Sequence, residues 1–222
     1  MALILNIDTS TSFASLALGK DGQLIAVSSN ADQKDHASWL HIAIRELLQN
    51  NNLSVNALDA IAVTGGPGSY TGLRVSMSTA KGICYAANIP LIIHNTLEVM
   101  TNSVLQKFRN TLFCPMLDAR RMEVFTAVYD EDLNSQLNPT ALILENESYH
   151  DQLNNNKIVF FGSGSEKFSK ICNHPNAMFI ESNFSAEDMV MLSEKKYQQE
   201  KFADIAYSGP EYLKEFHDTS KN

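Results

Sequence analysis

The spacing of hydrophobic residues divides the first half of the chain into short strands and amphipathic helices. Apolar runs of five or six residues, separated by turn signals such as Lys20-Asp21-Gly22, predict strands that lie in a core. Apolar residues then recur every three or four positions after a cap at Asp35 or Ser38, which predicts a helix that ends near Asn50. The predicted elements, in the order βββαβαβα, are strands at Leu3–Ile7, Phe13–Leu18, Gln23–Ser28, Ala60–Thr64 and Leu91–His94, the helix ending near Asn50, and helices at Thr71–Ala87 and Thr96–Phe108.

The second half of the chain repeats this order of elements. Its first predicted strand, Leu112–Leu117, ends at Asp118, just as the first strand of the chain ends at Asp8. The elements that follow are strands at Glu123–Tyr129, Thr140–Leu144, Lys157–Phe161 and Ala177–Ile180, with helices at Ser148–Leu153, Ser165–Cys172 and Ala186–Phe202. The repeated order favours a duplicated α/β fold. We place the boundary after residue 108, with lobes at 1–108 and 109–222, and expect the tail from about residue 207 to pack back on the first lobe.

Composition narrows the classes of function. Apolar residues make up 44% of the 222 residues and charged residues 19%, which is typical of a globular protein. The formal net charge of -8 makes the chain alone a poor ligand for nucleic acid, because phosphate backbones are bound through lysine and arginine. The three cysteines are far apart, which excludes a disulfide scaffold and a zinc site built from cysteines.

The N-terminus does not resemble a secretion signal. Met1–Ile7 is apolar, but no basic segment precedes it and Asp8 follows at once. The sequence contains no apolar stretch near the ~20 residues that cross a bilayer. We therefore expect a soluble, cytoplasmic protein with no membrane contact.

The segment Gly65–Arg74 carries four of the ten glycines of the chain within eight positions. Glycines between a strand and a helix allow close backbone approach, as in loops that cradle an anion. The Gly-Lys-Ser/Thr ending of a P-loop is absent, because Gly72-Leu73-Arg74 stands in its place. Both an anion-binding loop and a simple tight turn fit the sequence.

The helix that follows has an unusual composition. Between Ala60 and Leu97 the only charged side chains are Arg74 and Lys81, and much of the helix consists of serine, threonine, alanine and glycine. Small residues allow helices to approach closely. Two interpretations fit: a central core helix, or a helix that packs against a second subunit.

Residues suited to catalysis are few. His36 and His41 are five positions apart, so they do not form a metal-binding pair on one helix face. Ser69 could act as a nucleophile only with a base in reach, for which His36 is the one candidate. Asp8 and Asp118 are the best pair of carboxylates for a hydrated metal near phosphate, and capping of turns explains them equally well.

The glycine-rich segment also carries a resemblance. Gly66-Pro67-Gly68-Ser69-Tyr70-Thr71-Gly72-Leu73-Arg74 resembles the signature of the TsaB (YeaZ) family. Further segments that resemble the family are Asn6-Ile7-Asp8-Thr9-Ser10-Thr11, His36-Ala37-Ser38, Asp118-Ala119-Arg120-Arg121-Met122-Glu123-Val124 and Pro210-Glu211-Tyr212-Leu213-Lys214. They cover nearly the whole chain except about 134 to 183.

The resemblance implies a fold and a role. The family has the ASKHA fold (actin, sugar kinase, Hsp70), here with two βββαβαβα-like lobes of which the second is reduced. It implies a non-catalytic subunit that pairs with TsaD, the enzyme that transfers the threonylcarbamoyl group from its adenylate to N6 of adenosine 37 in tRNAs reading codons that begin with A. The ATPase TsaE joins that complex. ATP would then be used through TsaE and a metal held in TsaD, with no cofactor in this chain, and tRNA would be contacted only through the complex.

The resemblance also suggests where the partner binds. If the two helices that carry Trp39–Leu48 and Leu73–Ala87 face matching helices of TsaD, they form a four-helix contact, through which the chain alone would homodimerise. The expected interface residues are His36, Trp39, Leu40, Tyr70, Thr71, Leu73, Arg74, Met77 and Ala80. Of these, Leu73 and Met77 are expected to be exposed before assembly.

The nucleotide site of the fold is expected to be degenerate in this chain. TsaD holds its metal with a His-x-x-x-His pair on the helix that here spans Ser38–Leu48, and the spacing of His36 and His41 does not match. The turn after the first strand lacks the glycine that active relatives place two residues after the aspartate. The candidate phosphate-site residues are Asp8, Thr9, Ser10, Gly66, Gly68 and Asp118, and Gly162-Ser163-Gly164 resembles a remnant of the adenosine motif. Two alternatives stay open: a small-molecule kinase or ATPase of this fold, and a glycoprotease-like peptidase.

Overall fold

The computed structural model describes residues 2–31 and 36–214, with the backbone alone at His36. The chain divides into two compact units. The first comprises residues 1–103 together with 183–210, and the second comprises residues 104–182 together with 211–222. Each unit is built around its own mixed sheet.

The sheet of the first unit has the strand order β3-β2-β1-β4-β5. β1, β2 and β3 are antiparallel neighbours, whereas β4 pairs parallel with β1 and β5 pairs parallel with β4. The elements are β1 (Leu3–Asp8), β2 (Ala14–Lys20), β3 (Gln23–Asn30), α1 (His36–Asn50), a 3-10 turn (Val55–Ala57), β4 (Ala60–Gly66), α2 (Tyr70–Ala87), β5 (Leu91–Asn95) and α3 (Thr96–Asn102), and later in the chain a 3-10 helix (Ala186–Met189) and α6 (Val190–Gln198).

The two faces of this sheet are covered by different helices. β1 and β4 are buried along their whole length, as expected for strands with helices on both faces. Leu5 and Ile7 of β1 belong to the same hydrophobic cluster as the buried stripes of α1 and α2. Asn6, which points to the opposite face, accepts a hydrogen bond from Ser193 of α6. α1 and α2 therefore lie on one face and α6 on the other.

The sheet of the second unit has the order β10-β9-β6-β7-β8. Numbered within each unit, both sheets have the order third-second-first-fourth-fifth strand, with the same directions. The elements are a 3-10 turn (Leu105–Lys107), β6 (Leu112–Asp118), β7 (Glu123–Tyr129), β8 (Ser135–Ile143), α4 (His150–Asn155), β9 (Ile158–Phe161), α5 (Ser165–Ser169) and β10 (Ala177–Phe179). The predicted duplicated α/β fold is confirmed, and the helices of the second unit are short.

The structure differs from the sequence prediction in the course of the last part of the chain. We expected the second lobe to span 109–222, with only the tail from about residue 207 packing on the first lobe, whereas residues 183–210 pack with the first unit and residues 211–222 with the second. The amide of Ala186 donates to Ser15 Oγ of β2 (2.9 Å), and Asn102 Nδ2 of α3 donates to the carbonyl of Asp188 (2.8 Å). These bonds fix the returning segment on the sheet of the first unit.

Other differences concern the ends of elements. The helix predicted at Thr96–Phe108 ends at Asn102, and the strand predicted from Thr140 begins five residues earlier at Ser135. Within the residues described, no helix is long and apolar enough to cross a membrane.

Candidate functional site

The turn after β1 is the first candidate site. Asp8 is fully buried, and its Oδ1 accepts hydrogen bonds from Thr64 Oγ1 (2.7 Å), Ser10 Oγ (2.6 Å) and the Ser10 amide (3.1 Å). Thr9 and Ser10 are buried as well. The backbone amide of Ser10, a donor of the kind that binds phosphate, therefore already donates within the turn.

The glycine-rich loop covers this turn. Thr9 Oγ1 donates to the carbonyl of Gly72 (2.7 Å), and the amide of Ser69 donates to the carbonyl of Ser10 (2.7 Å). A Cβ atom at Gly72 would lie 1.9 Å from Thr9 O, and one at Gly68 would lie 2.3 Å from Ser10 O. The glycines thus allow the loop to lie directly on the turn.

The other residues of the glycine-rich loop have structural roles of their own. Ser69, which a peptidase would need as nucleophile, caps α2, and its Oγ accepts from the Gly72 amide (3.3 Å). Gly66 has a φ of 123°, in a region open to glycine. The side chain of His36, the base considered for Ser69, lies outside the described residues.

Asp118 occupies the equivalent position in the second unit. As in the first unit, the carboxylate at the strand end accepts from the amide two residues later, here Arg120 (2.6 Å). Its Oδ1 also lies 2.6 Å from Lys167 Nζ, and Ser163 Oγ accepts from the Asp118 amide (3.1 Å). Partial burial works to raise the pKa of Asp118, but the hydrogen bonds from Lys167 and Arg120 outweigh it and hold the pKa below 3.8.

Both carboxylates are therefore held by groups of their own unit, in the way that capped turns are. Among the described residues, histidine, cysteine, aspartate and glutamate form no cluster of three or more that could hold a metal ion.

Several predicted interface residues lie in the core of this chain. Leu73 and Met77 are only 1% and 2% exposed, and Leu40 and Ala80 are fully buried. The prediction that Leu73 and Met77 are exposed before assembly is wrong, because both side chains are buried within this chain. Leu40, Met77 and Ala80 pack on β1 and β4 through one hydrophobic cluster. Trp39 is half-buried against the same cluster.

The outward face of α2 is formed by other predicted interface residues. Tyr70, Thr71 and Arg74 are exposed, and the Arg74 guanidinium lies 3.9 Å from the centre of the Tyr70 ring. Such stacking holds the arginine along the first turn of the helix. The helix Tyr70–Ala87 contains no acidic residue, although the chain as a whole is strongly acidic.

A buried polar network that the sequence motifs do not reveal lies behind the sheet of the first unit. His94, at the end of β5, is fully buried, and its Nε2 lies 2.9 Å from Ser193 Oγ, which donates to Asn6 Oδ1 (2.5 Å). Burial, followed by the nearby Lys196, lowers the pKa of His94 well below 6.5. The network joins α6 to two strands, and the only signal for it in the sequence is a histidine at the end of a buried strand.

Comparison with known proteins places the chain in a family. A family model described as TsaD, tRNA N6-adenosine threonylcarbamoyltransferase, matches residues 27–219. The chain belongs to this family.

Relatives within the family agree with the resemblance drawn from the sequence motifs. The chain is 27% identical to the tRNA threonylcarbamoyladenosine biosynthesis protein TsaB of Escherichia coli over 218 residues, which cover 95% of this chain and 94% of that protein. It is 28% identical to TsaB of Haemophilus influenzae over 228 residues, 95% of this chain and 93% of that protein. The predicted similarity to TsaB is confirmed.

A solved structure supports the fold. YeaZ from Pseudomonas aeruginosa superposes with a TM-score of 0.78 at 23% identity, covering 96% of this chain and 100% of that chain. A second crystal structure, of a protein with similarity to peptidase YEAZ from the same organism, gives a TM-score of 0.85 at 23% identity and the same coverage.

Proposed function

We propose that this chain is the non-catalytic, activating subunit of a complex with a TsaD-type transferase and a TsaE-type ATPase. The complex places the threonylcarbamoyl group on N6 of adenosine 37 in tRNAs that read codons beginning with A. The names of the relatives support the pathway, since TsaB proteins from two organisms match nearly the whole chain.

The observation that carries the non-catalytic role is the covered turn after β1. An active enzyme of this fold must bring a phosphate to the backbone amides that follow the first aspartate. Here the carbonyls of Thr9 and Ser10 contact the glycine-rich loop, and the Ser10 amide donates to Asp8. A phosphate could enter only if this loop moved away, at the cost of its hydrogen bonds to the turn. Chemistry is therefore assigned to the partner subunits: ATP use to TsaE, and the metal and transfer step to TsaD.

The partner surface is assigned to α1 and the outward face of α2. Tyr70, Thr71 and Arg74 contact the TsaD-type subunit directly, whereas Leu73 and Met77 support this face from beneath. His36 and Trp39 are assigned to the same surface, whereas the buried Leu40 and Ala80, like Leu73 and Met77, support it only from the core. In the absence of the partner, the same face pairs with a second copy.

Transfer RNA contacts the complex mainly through the TsaD-type subunit. With a net charge of -8, this chain alone repels the phosphate backbone at physiological salt. Filter binding with the isolated chain should accordingly give no submicromolar affinity for tRNA.

Reconstitution tests the proposal. Purified subunits are combined with threonylcarbamoyl adenylate, ATP and unmodified tRNA, and modified adenosine is measured by mass spectrometry, with each subunit omitted in turn. We expect omission of this chain to reduce modification by at least tenfold, and this chain alone to produce none.

Two results would overturn the proposal. One is full modification without this chain, which would remove its activating role. The other is ATP hydrolysis by the isolated chain that is lost in Asp8→Ala while the variant stays folded, because that would assign chemistry to the turn after β1.

A further inference from the structure

The segment that follows α6 forms a well-fixed turn beside α2. The amide of Ala203 donates to the carbonyl of Leu91 on β5 (2.8 Å), and Ile205 packs against the hydrophobic core of the first unit. Asp204 Oδ1 accepts from the amides of Ala206 (2.7 Å) and Tyr207 (3.1 Å). The amide of Ser208 donates to the carbonyl of Asp204 (2.9 Å), which closes the turn. We refer to residues 203–208 as the α2-side turn.

Lys81 joins the α2-side turn to the helix. Its Nζ donates to the carbonyl of Ser208 (2.7 Å) and reaches the carbonyl of Ala206 at 3.4 Å. A cation bound to two neighbouring carbonyls restrains the residue between them, because both peptide groups must keep their orientation. That residue is Tyr207.

Tyr207 is nevertheless 91% exposed. Tyr85, four residues after Lys81 and so on the same face of α2, is 82% exposed. Two tyrosines thus flank Lys81, one on the helix and one on the α2-side turn. Because the backbone of Tyr207 is already fixed, binding does not have to order the turn, and tyrosine is among the residues that most often dominate interfaces.

The size of α2 indicates that a partner must contact more than this helix. Eighteen residues at 1.5 Å each make a helix about 27 Å long, and at ~10 Å width its outward face offers roughly 270 Å² in projection. Stable interfaces bury about 800 Å² on each partner. The elements next to α2 must therefore contribute, and the α2-side turn is bound to it directly through Lys81.

We propose that the α2-side turn is part of the docking surface for the TsaD-type subunit, with Tyr207 and Tyr85 as its main contacts and Lys81 as the residue that positions the turn. The inference rests on the proposed function, since it extends the α2 surface assigned there. The charge of this surface is nearly balanced, because α2 carries Arg74 and Lys81 and the α2-side turn carries the exposed Asp204. It therefore fits a protein partner that is contacted mainly through the two tyrosines.

The test measures the affinity of the full-length chain for the TsaD-type subunit of the same organism by titration calorimetry. Tyr207→Ala and Tyr85→Ala should each weaken binding by about tenfold or more. Lys81→Met keeps most of the side-chain stem and removes the charge, and should weaken binding by roughly three- to tenfold. In the same variant, hydrogen exchange at the amides of Ala206 and Tyr207 should become faster.

Met191→Ala is the matched control, because Met191 is 61% exposed but lies on α6, on the opposite face of the sheet. Its affinity should stay within twofold of the wild type. Raising the concentration of Tyr207→Ala in the reconstituted reaction should restore modification, as expected for a residue that acts only in docking.

The outcomes are distinguishable. Wild-type affinity in Tyr207→Ala, with tight binding by the unaltered chain, would overturn this inference and leave the proposed function intact. Absence of binding by the unaltered chain would overturn both. Loss of self-association in Tyr207→Ala at unchanged affinity for the TsaD-type subunit would assign the surface to a second copy and so refute the proposed partner.

Discussion

Two glycines of α2 should respond in opposite directions to the same substitution. A Cβ at Gly72 would lie 1.9 Å from Thr9 O, whereas a Cβ at Gly82 would meet no atom within 4 Å. Contacts below 3.0 Å essentially never occur, so Gly72→Ala must push the turn after β1 and the helix apart by about 1.1 Å. That movement breaks or lengthens the bonds from Thr9 Oγ1 to Gly72 O and from the Ser69 amide to Ser10 O.

The magnitude follows from these contacts. Two hydrogen bonds contribute about 1 kcal/mol each, and forced overpacking costs about 1–3 kcal/mol. The better helix propensity of alanine offsets about 1 kcal/mol. Gly72→Ala should therefore lower the free energy of unfolding by about 2–4 kcal/mol. Gly82→Ala gains the helix propensity without a clash and should raise it by about 0.5–1 kcal/mol.

Urea unfolding followed by far-UV circular dichroism measures both changes. With a slope of about 2 kcal/mol per molar urea, Gly72→Ala should lower the midpoint by roughly 1–2 M, and Gly82→Ala should raise it slightly. A wild-type midpoint for Gly72→Ala would refute the close packing of the loop on the turn. Midpoints that shift in the same direction for both variants would refute the explanation by local space.

Three further predictions concern buried or paired side chains. Because burial holds the pKa of His94 well below 6.5, the unfolded chain binds more protons below that pH, so stability should fall as the pH drops below 6.5. Between pH 7.5 and 5, the urea midpoint of His94→Gln should change less than that of the wild type. An equal change would show that His94 does not cause the loss of stability at low pH. Asp8→Ala leaves Thr64 Oγ1 without its acceptor and should lower the free energy of unfolding in urea by about 2–4 kcal/mol. Asp8→Asn keeps an oxygen for Thr64 and should lower it by less. A larger loss in Asp8→Asn than in Asp8→Ala would argue against a structural role for Asp8. Lys167→Met should raise the pKa of Asp118 toward 3.8 in a carboxyl-carbon NMR titration, with a stability loss below about 1 kcal/mol because the carboxylate is half-exposed. An unchanged titration would show that the ion pair does not govern this pKa.

The elements that the sequence predicted well are those whose pattern is set by burial alone. β1 is apolar because helices cover both of its faces, and α1 carries a stripe that repeats with the helical period. The start of β8 was missed, since three of the four residues Ser135–Asn138 are polar and Pro139 interrupts the pattern. The strand tolerates both because it lies at the edge of its sheet.

Two features could not be predicted from the sequence because they depend on tertiary contacts: the neighbour of α2 and the covering of the turn after β1. The small residues of α2 predicted close packing, but not whether the neighbour is the sheet of the same chain or another molecule. Leu73 and Met77 face the core, and Thr71 and Arg74 face outward. The Asp8-Thr9-Ser10 sequence fits an open phosphate turn and a covered one equally, because the difference depends on Gly72, more than sixty residues away.

Because the first unit is built from two separate parts of the chain, its parts become available at different times during translation. The first unit is completed only when residues 183–210 emerge, after the 79 residues 104–182 of the second unit have been translated. At 5–20 residues per second this delay is about 4–16 s. During that interval the polar face of the sheet that carries Asn6, Ser15 and His94 lacks the helix that later covers it. The first unit can therefore cover this face only after residues 104–182, the larger part of the second unit, have been synthesised.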